Sequence, residues 1–349
     1  MVNKEFCMSS YLTFRHIINP DSDFFGEIKH REIELKEAVQ KVEVTSWKDV
    51  HSHIHKTMDA NVDSNTAILL SGGMDSAILA SYMPKGAVAY TFSFPDCGCP
   101  DERERAEIYA KQNGLDLRVV EITWEKMKRY TPILMAHKGE PVHSIEPQIY
   151  AAAMQAKEDG MTKMVIGDGA DYVFGGMDKL LSKDWTFDEF VRRYSYNDIT
   201  KILKKPVSMI PFFEKYRRDD NSIDFMQIMN GECTCESYNS YYNAFSTAGL
   251  PYVDPYEDMI VRGGIDLCRI RKGESKYMVR ELFKERYPDL DVPEKKPMPR
   301  AVDYYFKYWN GPKRDEFIEH CINSIPEGNQ RWLVYCLEWF LNIYDPVLK

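Results

Sequence analysis

The chain has 349 residues, enough for one large or two ordinary domains with a sizeable core. Hydrophobic residues make up 44% and charged residues 28%, a globular rather than a disordered balance, and no apolar run reaches the roughly 20 residues that a membrane helix needs. A net charge of −9 disfavours nucleic acid as a partner, and the opening M-V-N-K-E-F-C-M-S-S lacks an apolar export segment, so a cytoplasmic protein with reduced thiols is expected.

Residues 1–60 read as a lead-in. Within it, Ser10 to Arg15 suggests a short strand or linker, Ile28 to Val42 a charged helix or ribbon, and Trp47 to Met58 a helix. His51, His53 and His55 lie on that helix at a period of two, which does not place all three on one face, so they do not form a metal site. Residues 61–185 alternate strand and helix. Thr66 to Leu70 is an apolar strand. Ala87 to Phe94 is a second, Leu117 to Ile122 a third and Lys163 to Ile166 a fourth. Helices are expected after Ser71-Gly72-Gly73, from Asp101-Glu102 up to Gly114, and from Glu146-Pro147 up to Gly160. The alternation predicts a parallel, doubly wound α/β sheet, whose ligand sits beyond the carboxyl ends of its strands. From about residue 186 to 349 the pattern turns mostly helical: Trp185 to Tyr194, Ile199 to Leu203, Met226 to Phe245, Ser275 to Phe283 and Trp332 to Ile343. Pro251 to Tyr256 reads as a rigid aromatic loop and Pro293 to Arg300 as a basic, proline-stiffened one.

The two C-x-C pairs, Cys97/Cys99 and Cys233/Cys235, could hold zinc or an iron–sulfur cluster if the fold joined them, though the spacing is not the usual C-x-x-C, and small soft side chains near loops are the plainer reading. The basic clusters Lys204-Lys205, Arg217-Arg218, Arg269 to Lys272 and Lys295-Lys296 are ordinarily solvated faces.

Two glycine- and acid-rich loops carry the chemistry. Ser71-Gly72-Gly73-Met74-Asp75-Ser76 joins a buried strand to a helix. Glycines there let the backbone approach a ligand, and the hydroxyls and free N–H groups suit an anion. Asp75 beside such an anion makes sense if Mg²⁺ bridges the two. An ordinary capped turn would have similar residues. The second loop, Gly167-Asp168-Gly169-Ala170-Asp171-Tyr172-Val173-Phe174-Gly175-Gly176, follows the fourth strand and so lies at the same end of the sheet.

The S-G-G-x-D-S string resembles the PP-loop of ATP pyrophosphatases, which split ATP into AMP and pyrophosphate. It is neither a Walker A loop nor a Rossmann fingerprint. Together with Asp101-Glu102, Gly167–Gly176, Leu250–Asp254, Lys276-Tyr277-Met278-Val279-Arg280 and the Lys295-Lys296 loop, it resembles the synthetase domain of the asparagine synthetase family, whose members include β-lactam synthetases and lasso-peptide cyclases. Tyr11–Arg15 is similar to that family's inter-domain linker. The resemblance implies an adenine nucleotide alpha hydrolase-like fold and an ATP- and Mg²⁺-dependent ligase that adenylates a carboxylate and passes the acyl group to ammonia or an amine. It implies that Ser71, Gly72, Gly73, Asp75, Ser76 and Gly167 hold the pyrophosphate, that the backbone near Leu69 and Phe94 lines the adenine, and that Asp75 and Asp171 bind the metal. It assigns proton transfer to Asp168 and charge neutralisation to Lys296, with Lys295 as an equal candidate.

Two departures bear on the substrates. The family's N-terminal-nucleophile glutaminase half is not expected here, since residue two is Val2 and Cys7 is internal; nitrogen would then come from ammonia, an amine or a separate glutaminase subunit. Tyr172 stands where the family has an acid, and Tyr241, Tyr242, Tyr252 and Tyr256 crowd the acceptor side, which favours a small-molecule or peptide carboxylate larger than aspartate. Other PP-loop chemistry, thiolation with sulfur carried by the C-x-C thiols, and a nucleotide-binding regulatory subunit are the alternatives; homo-oligomerisation is compatible with all of them.

Overall fold

The computed structural model describes residues 1–26, 28–31, 33, 35–97 and 102–345. Its strands are β1 (Val42–Val44), β2 (Thr66–Leu69), β3 (Val88–Ser93), β4 (Asp116–Glu121), β5 (Lys163–Val165), β6 (Tyr252–Val253) and β7 (Met259–Val261). Strands β2 to β6 form one parallel sheet in the order β4-β3-β2-β5-β6, and β1 pairs with β7 in a separate parallel ribbon. The chain builds outward from β2 to β4, then crosses to β5 on the other side. The switch point therefore lies between β2 and β5, where the strand ends diverge and leave a crevice.

Both faces of the sheet are covered, which is why β2 and β3 read as unbroken apolar runs. Successive side chains point to opposite faces. Ala67 and Leu69 join one core, Ile68 and Leu70 the other, and every residue of β2 is buried. The helices are α1 (Lys4–Phe14), α2 (Trp47–Asn61), α3 (Met74–Ala80), α4 (Arg103–Asn113), α5 (Trp124–Lys138), α6 (Glu146–Glu158) and α7 (Gly169–Val173), followed by further helices named below by residue. The apolar sides of α5 and α6 cover the first face. Those of α2, α3, α4 and the helix Tyr277–Arg286 cover the second. No helix among the described residues is long and apolar enough to cross a membrane.

The sequence reading needs correction in several places. Ser10 to Arg15 is the end of a buried helix, neither strand nor linker: Tyr11 and Leu12 are fully buried, and Arg15 closes α1 in a left-handed conformation. Its burial follows from the packing of α1 against the helix Gly328–Tyr344. Both elements meet at one carbonyl, Val142 O, which accepts from the Tyr11 hydroxyl and from Trp332 Nε1, each at 2.9 Å. Residues 28–41 form only a single 3₁₀ turn, Ala38–Gln40, among their described residues, and Val42 opens the ribbon strand β1. Tyr252-Val253, expected as loop, is the edge strand β6; two residues are too short to show a period, and pairing with Met164 and Val165 makes the strand. Helix α5, which has Pro132 inside it, was not expected at all. Two of the three histidines, His51 and His55, do share a face and pack on Tyr82 at 5.7 and 6.2 Å between ring centroids.

The thiols also differ from expectation. Cys97 is disulfide-bonded, whereas Cys7, Cys233, Cys268, Cys321 and Cys336 are free; Cys99 lies outside the described residues. Among the described residues no group of three or more His, Cys, Asp or Glu could hold a metal ion.

Leu12→Ala should cost about 2–5 kcal/mol in chemical denaturation, because it empties a closed site between α1 and the core, whereas Val39→Ala, at 85% exposure, should change stability by less than about 0.5 kcal/mol. Equal effects at the two positions would mean that α1 is not part of the cooperative core.

Candidate active site

The first loop leaves β2 at Leu70, whose N–H donates to Tyr90 O at 2.8 Å, and enters α3 with Gly73 as its N-cap residue. The two serines lock it. Ser71 and Ser76 hydroxyls lie 2.9 Å apart, Gly73 N–H donates to Ser71 Oγ at 3.1 Å, and Ser71 N–H donates to Ser76 Oγ at 3.1 Å. At Gly72 the chain passes so close to the start of α4 that a Cβ would come within 3.0 Å of Arg105 and 3.1 Å of Glu102. Gly72 N–H instead donates to the Glu102 carboxylate. Asp75, on the first turn of α3, points into the crevice beyond the sheet.

The second loop leaves β5 through Gly167 into the short helix α7, which carries Asp171. The two loops meet on one cation. Lys276 Nζ lies 2.6 Å from Asp75 Oδ2 and 2.7 Å from Asp171 Oδ1, with its side chain 4% exposed. Lys276 has φ 54, ψ 41, a left-handed conformation uncommon for a residue with a Cβ. That backbone turn aims the ammonium back toward the sheet just before the helix Tyr277–Arg286 begins. Asp171 Oδ1 also takes Lys295 Nζ at 2.8 Å, and Lys295 reaches Gly176 O as well. A Cβ on Gly176 would overlap the Asp171 carboxylate, so only glycine fits there. The other oxygen of Asp75, Oδ1, is buried without a hydrogen-bond partner.

Charge follows this geometry. Burial works against ionisation of Asp171, but Lys276 and Lys295 outweigh it and hold the carboxyl down at about 2. Asp75 faces the same lysine, yet burial and the neighbouring Asp171 push it upward. Lys276 is itself burdened by burial and more than compensated by the two acids, so its pKa is raised. Among the described residues no lysine or arginine pairs with Asp168. Burial lifts it to about 8, against the hydrogen bond from Ser237 Oγ at 2.8 Å and with help from Asp171, Glu236 and Glu257. Asp254 is raised too, chiefly by burial, while it accepts from Gly169 N–H and Tyr256 N–H.

A family model described as asparagine synthase matches residues 53–241, more than half of the chain. The chain belongs to the asparagine synthase family. The matched span takes in both loops and Ser237, and the family is one of ATP-using synthetases. Among solved structures, NMN synthetase from Francisella tularensis aligns at 10% identity over 72% of this chain and 99% of its own, with a TM-score of 0.27, too distant to bear on fold or function. No curated protein shows significant similarity to the chain.

In this family member the cavity beyond β2 and β5 brings together Leu69, Ser71, Gly73, Asp75, Ser76, Gly167, Asp168, Asp171, Lys295 and Lys296. Gly72 sits just behind it, turned toward Glu102. Phe94 does not line it: that ring is packed in the core, and Phe92 lies on the wall instead. Of the four tyrosines expected on the acceptor side, Tyr241 lines the cavity. Tyr256 is fully buried under Asp75 and donates to its main-chain carbonyl at 3.1 Å, Tyr252 stacks on Phe245, and Tyr242 faces solvent. Sequence reasoning assigned no role to Lys276, Arg280 or Glu102, all of which line the cavity. The K-Y-M-V-R string marked the first two, and a lysine that opens an amphipathic helix just after Gly-Glu-Ser was the available signal. Cys233 lies elsewhere, and burial pushes its thiol up to about 12, so it is protonated at neutral pH.

Asp168 gives a pH prediction. Its carboxyl titrates near 3.8 when unfolded and about 8 when folded, so between these values the folded state holds more protons and stability falls as pH rises. Denaturation midpoints of Asp168→Asn should vary less between about pH 5 and about pH 8 than those of the parent, with a residual slope from Asp75 and Asp254. An unchanged slope would show that Asp168 is ionised and well solvated.

Proposed function

We propose that this chain is an ATP-dependent, amide-forming ligase that adenylates a substrate carboxylate, releases pyrophosphate and transfers the acyl group to ammonia or an amine. The supporting observation is the junction of the Ser71–Ser76 loop and the Gly167–Asp171 loop on buried Lys276 at the switch point of a parallel sheet. Family membership supports ATP use; the substrate and the bond formed are our reading.

In the first step a carboxylate oxygen attacks the α-phosphorus of ATP, the bond to the bridging oxygen breaks, and pyrophosphate leaves with the electron pair. Ser71 and Ser76 are the hydroxyl donors for its oxygens, Gly72 and Gly73 shape the tight turn that presents them, and the cation of Lys276 lies on the same cavity wall. In the second step an amine nitrogen attacks the acyl carbon, the acyl–oxygen bond breaks, and AMP departs. The nitrogen loses a proton, and Asp168, poised near neutral pH by its burial, is the group placed to take it. The steps depend on placement and on fixed charge rather than on a covalent enzyme intermediate.

Asp75 and Asp171 would hold magnesium. The fit rests on hard carboxylate oxygens from two loops and on the buried, unpartnered Oδ1 of Asp75. Bound there with the triphosphate, the ion would neutralise phosphate charge. Of the two loop lysines, Lys295 is tied to Asp171 and Gly176, whereas Lys296 is exposed on the cavity wall and makes no hydrogen bond or ion pair among the described residues, which favours Lys296 in this reading. Lys296 is therefore the cation free to meet charge that develops on the α-phosphate.

The decisive assay is ATP–pyrophosphate exchange against a panel of carboxylic acids, followed by amide formation with and without ammonia. Asp75→Asn should lower exchange by on the order of a hundredfold while leaving the thermal midpoint within a few degrees. Wholesale unfolding would mean that Asp75 is a structural turn residue. Lys296→Ala should lower kcat about a hundredfold with little change in the KM for ATP, whereas a KM effect alone would reduce Lys296 to a binding group. Retention of full activity when Cys97, Cys99, Cys233 and Cys235 are changed to Ser would set thiolation aside.

A further inference from the structure

A second cavity, of about 410 Å³, opens beside the first, and Lys295 lines both. Its walls are aromatic: Phe14 from the end of α1, Tyr194 from the last turn of the helix Phe187–Tyr194 and Tyr196 just beyond it. Arg15 lies over the Tyr196 ring at 5.0 Å and is neutralised by Glu236 at 2.8 Å. Lys179 and Arg193, also on the lining, are exposed, and neither pairs with a carboxylate among the described residues. Asp178 is the acid of the lining, and it stands 4.0 Å from Lys295.

One helix turn connects this cleft to the reacting groups. The helix that starts at Phe225 widens into a π segment over Met229–Cys233, a form that recurs at functional sites, and Cys233 faces the cleft. A few residues on, Glu236 holds Arg15 and Ser237 donates to Asp168 at 2.8 Å. Tyr172 packs between them, close enough to feel Asp168, Glu236 and Arg15.

We propose that this cleft seats the body of the acid substrate, and that the acid is an aromatic carboxylate bearing a second anionic group. The reacting carboxylate would enter the ATP cavity past Lys295, the ring would lie among Phe14, Tyr194 and Tyr196, and the far anion would meet Lys179 and Arg193. Two unpaired cations over an aromatic slot favour a dianion over a simple aryl acid, because a single carboxylate spent at the reacting end leaves them unmatched. The proposal depends on the ligase reading only for which end of the acid reacts.

The test is direct binding by calorimetry to the full chain, without ATP, of phenylpropanoate and of its para-carboxylated analogue. The dicarboxylate should bind about tenfold more tightly. That advantage should shrink in Lys179→Ala and Arg193→Ala and weaken with added salt, while phenylpropanoate binding stays unchanged in both variants. Equal affinity for the two acids, no binding of either, or a dicarboxylate advantage indifferent to both variants would overturn the proposal. Pyrophosphate exchange with the same acids then separates the two readings. Binding without exchange counts against the ligase and leaves the cleft standing, and exchange with the parent that ignores both variants counts against the cleft alone.

Discussion

The candidate site depends on one buried ammonium group. Lys276 brings together two carboxylates that the chain delivers from separate loops, one after β2 and one after β5. Without a cation between them, Asp75 and Asp171 would be like charges side by side in a half-buried crevice, and one would be pushed to take up a proton or turn away. With it, both stay pointed into the crevice at the switch point. The cost falls on Lys276 itself, which is desolvated and held in a left-handed backbone conformation, and the surrounding fold offsets that cost through the packing of the helix that follows.

The same arrangement explains why acids so near each other behave differently. Asp171 has two lysines and stays ionised. Asp75 shares one and is more deeply enclosed. Asp168 has a hydroxyl and, among the described residues, no pairing lysine or arginine, so its charge is the least welcome, and it titrates near neutrality. One loop of the asparagine synthase family member thus carries, three residues apart, a carboxyl held ionised and one whose charge burial disfavours, with the difference set by their neighbours.

Much of the sheet was legible in the chain. Strands buried on both faces leave long apolar runs, and Thr66 to Leu70, Ala87 to Phe94 and Lys163 to Ile166 each announced one. The loops were legible because glycine and acid at strand ends are costly unless used. What escaped was decided by distant partners. β6 is two residues whose strand character exists only through Met164 and Val165. Helix α1 looked like a linker because its hydroxyl-rich sequence is weakly amphipathic, and it is buried on nearly all sides by elements hundreds of positions away. Lys276 stood out only as part of the K-Y-M-V-R string, and nothing local tells a lysine that it will be enclosed. Phe94 and Phe92 illustrate the limit of register: both belong to one apolar run, and a strand end one or two residues off decides which ring meets the cavity.

The meeting at Val142 has a kinetic corollary. Tyr11 and Trp332 reach the same carbonyl, and Lys4 bridges to Glu316 and Asp345, positions 312 and 341 residues downstream. During synthesis the sheet of β2 to β5 can collapse while the partners of α1 are still being made. The leading helix must therefore wait, apolar side uncovered, until the trailing one arrives. Phe14 and Arg15 at the end of α1 line the second cleft, so that wall is completed only once the trailing helix has docked.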